Sequence, residues 1–493
     1  MNADLERRSS GNGRVLLTGA VRILAVLAVV GVGLLLGRVL ASPAWTGAVT
    51  VVGLIAVGLI MLLKPAIGLL VWIALAPYSL SFHLYAKVSS STPALDVTRI
   101  AVLLLSLRLL STAVAPHAVS GGARRRLARL TWTEIAMAAS VVALALSAPA
   151  SHLGAFGALQ TIFDFVLTPM LVYYFARNWL RDRRALMAAV GVVAGISVVL
   201  SIISIREQLT GYATFSPIPY SWLYEMNLRR VLSVFGSPAA MSTVLAIPLP
   251  FLLYGLAQSD TPARRLALGV ALLVTLAGVF FVYVRSGWLG ALLGIIATIA
   301  LGPKIRRTLL PAVPVAVLSA LGLSMAALVD PSVIQKRIAS EGPIEYRVKA
   351  LQVGSDLFRR SPILGYGFSN YGTAAAEFGW NPERMRIRGE VPSPHNSYLD
   401  VLVSGGLLAL IPYLAVFATL AWRALSFWRM PAEPDQRRAN RDLVAVVWAT
   451  LLCFMVILGT FDVLSAQYAI MLFFFIVGAV LGRLEDSNGE HLV

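Results

Sequence analysis

The sequence predicts an all-α polytopic membrane protein with about 12–14 transmembrane helices and one long, partly helical loop on the outer face. First, 58% of the 493 residues are hydrophobic and only 13% are charged, which excludes a soluble globular domain. Second, apolar runs near 20 residues recur, and this length matches a hydrocarbon core of roughly 30 Å. Third, the basic residues of the short loops fall on one side of these runs when the runs alternate in direction.

The apolar runs define about fourteen candidate spans. The first follows Arg7, Arg8 and Arg14 and is longer than the apolar segment of a signal peptide, so we interpret it as a retained helix. The predicted spans cover 21–41, 46–63, 66–82, 97–115, 132–149, 155–176, 185–205, 238–257, 266–284, 286–302, 308–328, 397–421, 442–461 and 464–482.

The charge of the short loops predicts the topology. With the N-terminus in the cytoplasm, alternation places basic clusters such as 124–129, 181–184 and 437–441 on the cytoplasmic side, as the positive-inside rule requires. Both termini are then cytoplasmic, and the net charge of +17 need not indicate a nucleic-acid partner. The predicted organisation is a cytoplasmic tail at 1–20, spans 1–11 at 21–328, an outer loop at 329–396, spans 12–14 at 397–483 and a cytoplasmic tail at 484–493.

The large outer loop contains a predicted helix at Glu345 to Arg359. Its apolar residues recur at helical spacing and form one stripe: Tyr346, Ala350, Val353 and Leu357. Ser361-Pro362 ends this helix, and a turn punctuated by Gly365 and Gly367 follows. A loop of this length, held on a membrane scaffold, is a typical place for a functional site.

The segment from Pro394 to Asp400 closes the outer loop and opens span 12. His395 is the one histidine at such a junction, where it can exchange a proton near neutral pH. The alternative is a histidine that only bonds backbone at a helix start. Asp400 lies one helical turn after Asn396, faces the same way and is a candidate to orient the His395 region.

Arginines on the outer side run against the positive-inside bias. Arg230, Arg285 and Arg347 belong to this group, and a guanidinium fork binds phosphate oxygens bidentately. Snorkelling, headgroup contact and surface ion pairs are the alternative roles. Arg285 stands apart because it lies in a turn so short that Ser286 and Gly287 must begin the next helix.

Acidic residues near the membrane are few. Asp164 lies within the sixth span, where a carboxylate either relays protons, as in a transporter, or pairs with a base such as Arg108 and holds helices together. We favour the structural role. Asp462 lies at an outer helix end and is expected to be solvated.

Common catalytic signatures are missing from the sequence. There is no phosphate-binding P-loop, no His-x-x-x-His or Cys-x-x-Cys spacing and no Asp-x-Asp cluster in the outer loops. A serine-protease elbow is missing as well. We therefore expect chemistry that uses no metal and no cofactor.

Four stretches together resemble the O-antigen ligase and O-antigen polymerase superfamily, which includes bacterial O-oligosaccharyltransferases. They are Arg230 to Pro238, Arg285-Ser286-Gly287, Tyr346 to Gly367, and Pro394 to Leu399 with the Gly-rich helix that follows. The sequence departs from the family pattern at two positions, where Ser233 replaces a glycine and Val284 replaces a serine.

The resemblance implies a metal-independent glycosyltransferase on the outer face of the bacterial cytoplasmic membrane, with a glycan on undecaprenyl diphosphate as donor. It implies that Arg285 and Arg347 bind the diphosphate, with Arg230 assisting. It implies that His395 acts on the acceptor hydroxyl, as base or orienting group. Asn396 and Tyr398 are candidates to position sugar hydroxyls, and membrane lipids are expected partners.

Several alternatives stay open at this point. An O-antigen ligase, a polymerase and a protein O-oligosaccharyltransferase share the donor and differ in the acceptor. A transporter or flippase for lipid-linked glycans would instead depend on Asp164 and the inner helix faces. A scaffold that only binds the lipid carrier would function without His395.

Overall fold

The computed structural model describes residues 55–78, 85–86, 95–114, 129–212, 231–310, 342–380, 392–431, 433–462 and 466–489. Within these ranges eight helices are long and apolar enough to cross a membrane, or nine if one sharply bent pair counts as a span. This confirms the prediction of an all-α polytopic membrane protein. The predicted span at 21–41 lies outside the described residues. So does the part of the predicted span at 308–328 that follows Leu310.

Most of the described spanning helices lie within about five residues of the predicted limits, whereas the helices at Ser397–Arg429 and Pro434–Leu458 each extend eight residues beyond the predicted limits at 421 and 442. Along the chain they are α1 (55–63), α2 (Pro65–Leu75), α3 (Val97–Val114), α4 (Trp132–Ser147), α5 (Gly154–Trp179), α6 (Arg183–Thr210), α7 (Pro238–Ala257), α8 (Pro262–Phe281), α9 (Arg285–Leu301), α10 (Pro303–Leu309), α11 (Gly342–Arg360), α12 (Tyr371–Glu377), α13 (Ser397–Arg429), α14 (Pro434–Leu458) and α15 (Gln467–Ser487). Two short strands, β1 (Tyr85–Ala86) and β2 (Leu95–Asp96), pair antiparallel.

The chain divides into two compact units, residues 1–68 and 69–493. In the first unit the structure describes residues 55–68, where Gly68 lies so close to Met61 that a Cβ at Gly68 would come 2.5 Å from the Met61 Cα. Every feature discussed below lies in the second unit.

N-capping side chains stabilise the first turns of several spanning helices. The side chains of Asp182 and Thr261 accept backbone N–H groups of the first turns of α6 and α8, at 2.8 and 3.3 Å. Ser237 does the same for α7 at 3.3 Å, and proline follows it at the first helical position. These caps satisfy N–H groups that have no partner within the helix.

The packing core lies around α7 and α15, the most deeply buried of the described spanning helices. The Phe454 and Phe473 rings stack at 4.2 Å between centroids and join α14 to α15. Gly478 lets α15 approach α5 so closely that a Cβ there would come 2.4 Å from the Tyr173 carbonyl oxygen. These contacts make the core of the helix bundle tightly packed.

A buried ion cluster joins four helix ends on one face of the bundle. Arg177 donates to Glu485 at 2.8 Å and also contacts Glu134, while Arg423 contacts Glu485. These residues lie at the start of α4 and the ends of α5, α13 and α15, all predicted to be cytoplasmic. Their meeting at one face supports the predicted alternation of the spans.

The partner of Asp164 corrects one prediction. Arg99, rather than Arg108, donates to the Asp164 carboxylate, with 3.0 Å between Arg99 Nε and Asp164 Oδ1. Arg108 lies nine residues further along α3, which is about 13 Å along a helix axis and too far toward the opposite end. Gln467 adds a hydrogen bond to the Asp164 carbonyl at 2.7 Å. Through its carboxylate and its backbone carbonyl, Asp164 thus joins α3, α5 and α15, in line with a structural role.

The predicted loop helix is present as α11. Its apolar stripe packs against α12 and the start of α13, with Ala350, Val353 and Leu357 buried as predicted. The Tyr371 hydroxyl donates to the Ala350 carbonyl at 2.7 Å and ties α12 to α11. Residues 342–380 of the outer loop therefore form a folded layer on the membrane-spanning bundle.

The turn after α11 docks into a break in α13. Gly406 has φ 60° and ψ −159°, so α13 consists of a short segment up to Gly405 and a longer one after the break. The Tyr366 N–H donates to the Val403 carbonyl at 2.8 Å, and the Leu407 N–H donates to the Pro362 carbonyl at 2.9 Å. The turn thus satisfies backbone groups that the break leaves without a helical partner.

We expect Gly406→Ala to destabilise the protein strongly. The backbone conformation of Gly406 is nearly restricted to glycine and costs another residue about 1–3 kcal/mol. A Cβ there would also lie 2.2 Å from the Ile363 carbonyl oxygen. Thermal unfolding in detergent measures the effect, with Gly195→Ala in α6 as the control because a Cβ at Gly195 meets no atom within 4 Å. Equal melting temperatures for the two variants would contradict the expectation.

Candidate active site

The His395 segment begins α13 with a strong cap. The Asn396 side-chain oxygen accepts the N–H groups of Tyr398 and Leu399 at 3.0 and 3.1 Å. His395 precedes this cap with φ 45°, a left-handed conformation that costs a non-glycine residue energy. The local fold therefore holds the imidazole away from the path of a regular helix.

Tyr346 of α11 holds the His395 segment from one side. The Tyr346 hydroxyl donates to the Ser393 carbonyl at 3.0 Å and accepts the Ser393 N–H at 3.1 Å. The Tyr346 ring lies 5.5 Å from the His395 ring and 5.1 Å from the Trp380 ring, measured between centroids. Burial raises the pKa of Tyr346, so its hydroxyl stays neutral and can donate.

A turn at 459–462, between α14 and α15, joins two of the predicted motifs. Arg347 donates to the Thr460 carbonyl at 3.0 Å, and the Ser397 hydroxyl donates to the Phe461 carbonyl at 2.8 Å. The Ser393 hydroxyl donates to Asp462 Oδ2 at 3.2 Å. The arginine of α11 and the start of α13 are therefore held by the same four residues.

The position of Asp462 corrects a second prediction. We expected a solvated carboxylate, but Asp462 is half-buried, accepts the Ser393 hydroxyl and interacts electrostatically with the Asp400 carboxyl group. Burial raises the pKa of Asp462, and the Ser393 hydrogen bond opposes this shift. The prediction was wrong because the turn at 459–462 folds under the His395 segment.

Asp400, Asn396 and Tyr398 all have partners within the protein. Asp400 is buried, with the Ser404 hydroxyl 3.5 Å from its Oδ1. The Tyr398 hydroxyl donates to the Met455 carbonyl at 3.0 Å, while Asn396 Oδ1 caps α13. Asp400 reaches the His395 segment through Asp462 and not directly. Sugar positioning by Asn396 and Tyr398 stays a prediction.

Arg285 and Arg347 lie near each other although they are far apart in sequence. Burial, and secondly the charge of Arg285, lower the pKa of Arg347. An arginine nevertheless remains charged at physiological pH. Two cations brought together at the start of α9 and on α11 form a place where an anion, such as a diphosphate, is favourable.

The start of α9 is fixed by close packing. A Cβ at Gly287 would lie 1.6 Å from the Ser242 hydroxyl oxygen, so only glycine lets α9 approach α7 here. The Trp288 indole N–H donates to the Val279 carbonyl at 3.0 Å, and its ring stacks on Phe280 at 5.6 Å. The Arg285-Ser286-Gly287 turn therefore holds the half-buried Arg285 on a rigid support.

The first motif is described from Val231 onward, so Arg230 lies outside the described residues. The buried Glu207 carboxylate accepts the N–H groups of Leu232 and Ser233 at 3.2 and 2.9 Å. Ser233 has φ 49°, the left-handed conformation that glycine favours. The serine thus adopts the backbone conformation of the glycine expected from the family pattern.

Backbone strain is concentrated in these motifs. Within the described ranges, the non-glycine residues with positive φ are Ser233, Tyr283, Ser369 and His395. Each lies in one of the four predicted motif segments or within two residues of it. Strained residues that surrounding contacts hold in place cluster at functional sites in proteins.

The contacts of several residues in this region were not predicted from the sequence. These residues are Glu207, Ser393, Asp462 and Asn370. Asn370 donates to the Ala150 carbonyl at 2.7 Å and anchors the outer loop to the α4–α5 junction. Asp462 is the only acidic residue between the last two predicted spans, and this position was the one feature of the sequence that could have indicated its role. Asn370 and Glu207 bond residues that are distant in sequence, so no local pattern indicated their roles.

These features define a polytopic membrane protein in which arginines and a histidine from separate segments meet on one face of the helix bundle. The O-Antigen ligase family model matches residues 268–414, which include Arg285, Arg347 and His395. This match confirms the predicted resemblance to the O-antigen ligase and O-antigen polymerase superfamily, whose members are membrane glycosyltransferases. No curated protein matches the chain.

The described residues contain no group of three or more His, Cys, Asp or Glu side chains that could hold a metal ion. Metal-independent transfer stays a prediction, which a chelator tests directly. Arg285 and Arg347 carry permanent positive charge, which favours an anion without a metal ion.

Proposed function

We propose that the protein transfers a glycan from undecaprenyl diphosphate to an acceptor hydroxyl at the outer face of the bacterial cytoplasmic membrane, as an O-antigen ligase-like enzyme. In this proposal Arg285 and Arg347 bind the donor diphosphate, with Arg230 assisting, and His395 is the general base. Asn396, Tyr398 and Asp400 contribute to the acceptor side. No cofactor is required.

The observation that carries the proposal is the juxtaposition of two cations and a histidine. Arg347 and the His395 segment both contact the turn at 459–462, and Arg285 lies near Arg347. The family match covers all three residues. A site that joins a diphosphate-binding pair to a proton acceptor has the groups that transfer from a lipid diphosphate needs.

The reaction follows from these groups. The acceptor oxygen attacks the anomeric carbon of the glycan and forms the new C–O bond. The bond between this carbon and the diphosphate oxygen breaks, and undecaprenyl diphosphate leaves with the electron pair. His395 takes the hydroxyl proton. Arg285 and Arg347 stabilise the negative charge that develops on the diphosphate oxygen.

The cations also suit the histidine to its role. A positive charge near an imidazole disfavours the protonated form, and a general base must begin unprotonated. The Tyr346 ring lies next to His395 and the Trp380 ring next to Tyr346, and these two aromatic rings support stacking of a sugar ring.

The structure weakens the transporter alternative. That alternative depended on Asp164 as a proton-relay group, but Asp164 is paired with Arg99 and hydrogen-bonded at its backbone by Gln467.

The polymerase and O-oligosaccharyltransferase alternatives keep the same donor site and change the acceptor. The basic short loops and the buried ion cluster around Arg177 lie at the helix ends opposite the candidate site. Their position supports cytoplasmic termini and an outward-facing site.

Transfer in proteoliposomes tests the proposed function. Purified protein is supplied with an undecaprenyl-diphosphate glycan and, separately, a lipid, glycan or peptide acceptor, with EDTA throughout. We expect a glycosylated product and release of undecaprenyl diphosphate in equal amounts, and the productive acceptor distinguishes ligase, polymerase and protein glycosylation. Activity that requires an added divalent ion would contradict the arginine mechanism. Movement of the donor across the bilayer without transfer would favour a flippase.

A further inference from the structure

We infer that Asp462 is a positioning residue for His395: acting through the Ser393 hydroxyl, its carboxylate selects the imidazole tautomer whose Nε2 is unprotonated and accepts the acceptor proton. The inference rests on the proposed function, because it concerns the base of that reaction. It assigns a role to the turn at 459–462, which lies outside the residues matched by the family model.

The hydrogen bonds of Ser393 carry the inference. Its Oγ lies 3.2 Å from Asp462 Oδ2, 3.4 Å from His395 Nδ1 and 3.3 Å from the His395 backbone nitrogen. The backbone N–H of His395 must donate, so it uses one lone pair of Oγ. A serine hydroxyl has a single proton, and an ionised carboxylate only accepts. The proton of Ser393 therefore points to Asp462.

This arrangement determines the proton on His395. With the Ser393 proton on the Asp462 side, the contact between Oγ and Nδ1 is favourable only if Nδ1 carries a hydrogen and donates it. In a neutral imidazole the other nitrogen, Nε2, is then the unprotonated one. Nε2 is the base in this tautomer, while the opposite tautomer has no base on that side of the ring.

The proton that Asp400 and Asp462 share determines which of them accepts the Ser393 hydroxyl. The two carboxyl groups interact electrostatically, and Asp400 is buried whereas Asp462 is half-buried. Two carboxylates in contact in a buried site cannot both be ionised, so the pair shares one proton. A proton on Asp400 leaves Asp462 as the acceptor that faces Ser393.

The other groups around the turn at 459–462 are compatible with this proton arrangement. Arg347 from α11 donates to the Thr460 carbonyl, and Tyr346 from α11 bonds the Ser393 backbone. The Tyr398 hydroxyl from α13 donates to Met455. Each of these groups bonds a backbone atom, which leaves the Ser393 hydroxyl to Asp462 and His395.

Asp462→Asn removes the negative charge of the carboxylate and keeps the shape of the side chain. An amide can donate, so it can turn the Ser393 proton toward Nδ1 and place the imidazole hydrogen on Nε2. We expect kcat to fall by about 10- to 100-fold, the range for losing much of a general base, while the KM for the donor is unchanged. Without the nearby negative charge, the acid limb of the kcat profile should move to lower pH, by roughly 0.5 to 1 unit.

The tautomer is read directly by 15N NMR of histidine-labelled protein in lipid nanodiscs. The His395→Gln variant identifies the His395 signals. In the wild type near neutral pH we expect a protonated Nδ1 and an unprotonated Nε2, and in Asp462→Asn a gain of the form protonated at Nε2. Ser393→Ala removes the link itself and should give the same change, while Asp462→Glu should restore much of the wild-type tautomer and rate. Asp435→Asn, at a fully exposed side chain, is the matched control.

An unchanged His395 tautomer in both Asp462→Asn and Ser393→Ala would overturn the inference. So would a wild-type imidazole that already carries its hydrogen on Nε2, or a fall in rate without a shift of the pH profile. If the wild type transfers no glycan, the proposed function fails, but the NMR result still decides whether Asp462 controls the tautomer. The two failures are therefore distinguishable.

Discussion

His395→Asn is expected to lower kcat for glycan transfer by about 10²- to 10⁴-fold, the range for removing a general base. Asparagine adopts the left-handed backbone conformation readily, so it suits the φ of 45° at this position and should preserve the cap of α13. It cannot take the acceptor proton. The measurement is the initial rate of transfer in proteoliposomes under donor and acceptor saturation, next to His395→Ala.

The control variant for this experiment is His152→Asn. His152 is exposed and bonds Asn370 at the α4–α5 junction. We expect it to retain transfer within a few-fold of the wild type and both variants to keep the wild-type melting temperature. Unimpaired transfer by a folded His395→Asn protein would leave a scaffold role, or a different base, as the explanation for this site.

Helix positions in this protein were predictable because they depend on local pattern. The apolar stripe of the outer loop predicted a helix at Glu345 to Arg359, and α11 covers Gly342–Arg360 with the stripe buried. Periodicity shows which face of a helix is apolar before any partner is known. The same reasoning placed most of the described spans within a few residues of their observed limits.

The contacts between segments were not predictable in the same way. Arg99 and Asp164 are 65 residues apart, and Ser393 and Asp462 are 69 residues apart. Charge and position in the chain suggested Arg108 as an ion-pair partner of Asp164, and they predicted that Asp462 is exposed to solvent. Both errors arise because a pairing depends on which helix ends lie at the same depth and which turn folds under another. One sequence does not contain this information.

Ser233 shows how a departure from a motif can preserve its structure. The serine replaces a glycine of the family pattern, yet its φ is 49° and Glu207 holds its backbone N–H. The requirement at this position is a backbone conformation, and glycine is only the least costly residue to meet it. The sequence mismatch therefore says little against the resemblance.

Arg347→Ala is expected to lower kcat/KM for the lipid-linked donor by about 10²- to 10³-fold, the range for removing one preorganised group that stabilises developing charge. Arg347→Lys should recover part of this loss, because it keeps the charge but loses the bidentate fork. Arg359→Ala is the matched control, since Arg359 lies on the same helix, is highly exposed and pairs with Asp356. We expect this control to transfer glycan at the wild-type rate.

Arg347 also bonds the Thr460 carbonyl, so a loss of rate has two explanations, a lost diphosphate contact and a displaced turn at 459–462. Competition by inorganic pyrophosphate separates them, because only the first changes affinity for the anion itself. If Arg285 and Arg347 bind one diphosphate, each alanine variant should weaken this inhibition, and the double variant should lose less than the product of the single losses. Inhibition that is unchanged in Arg347→Ala while transfer falls would assign Arg347 to the support of Asp462 and His395. Transfer that resists both single replacements would remove the cation pair from the mechanism and with it the argument for metal-independent catalysis.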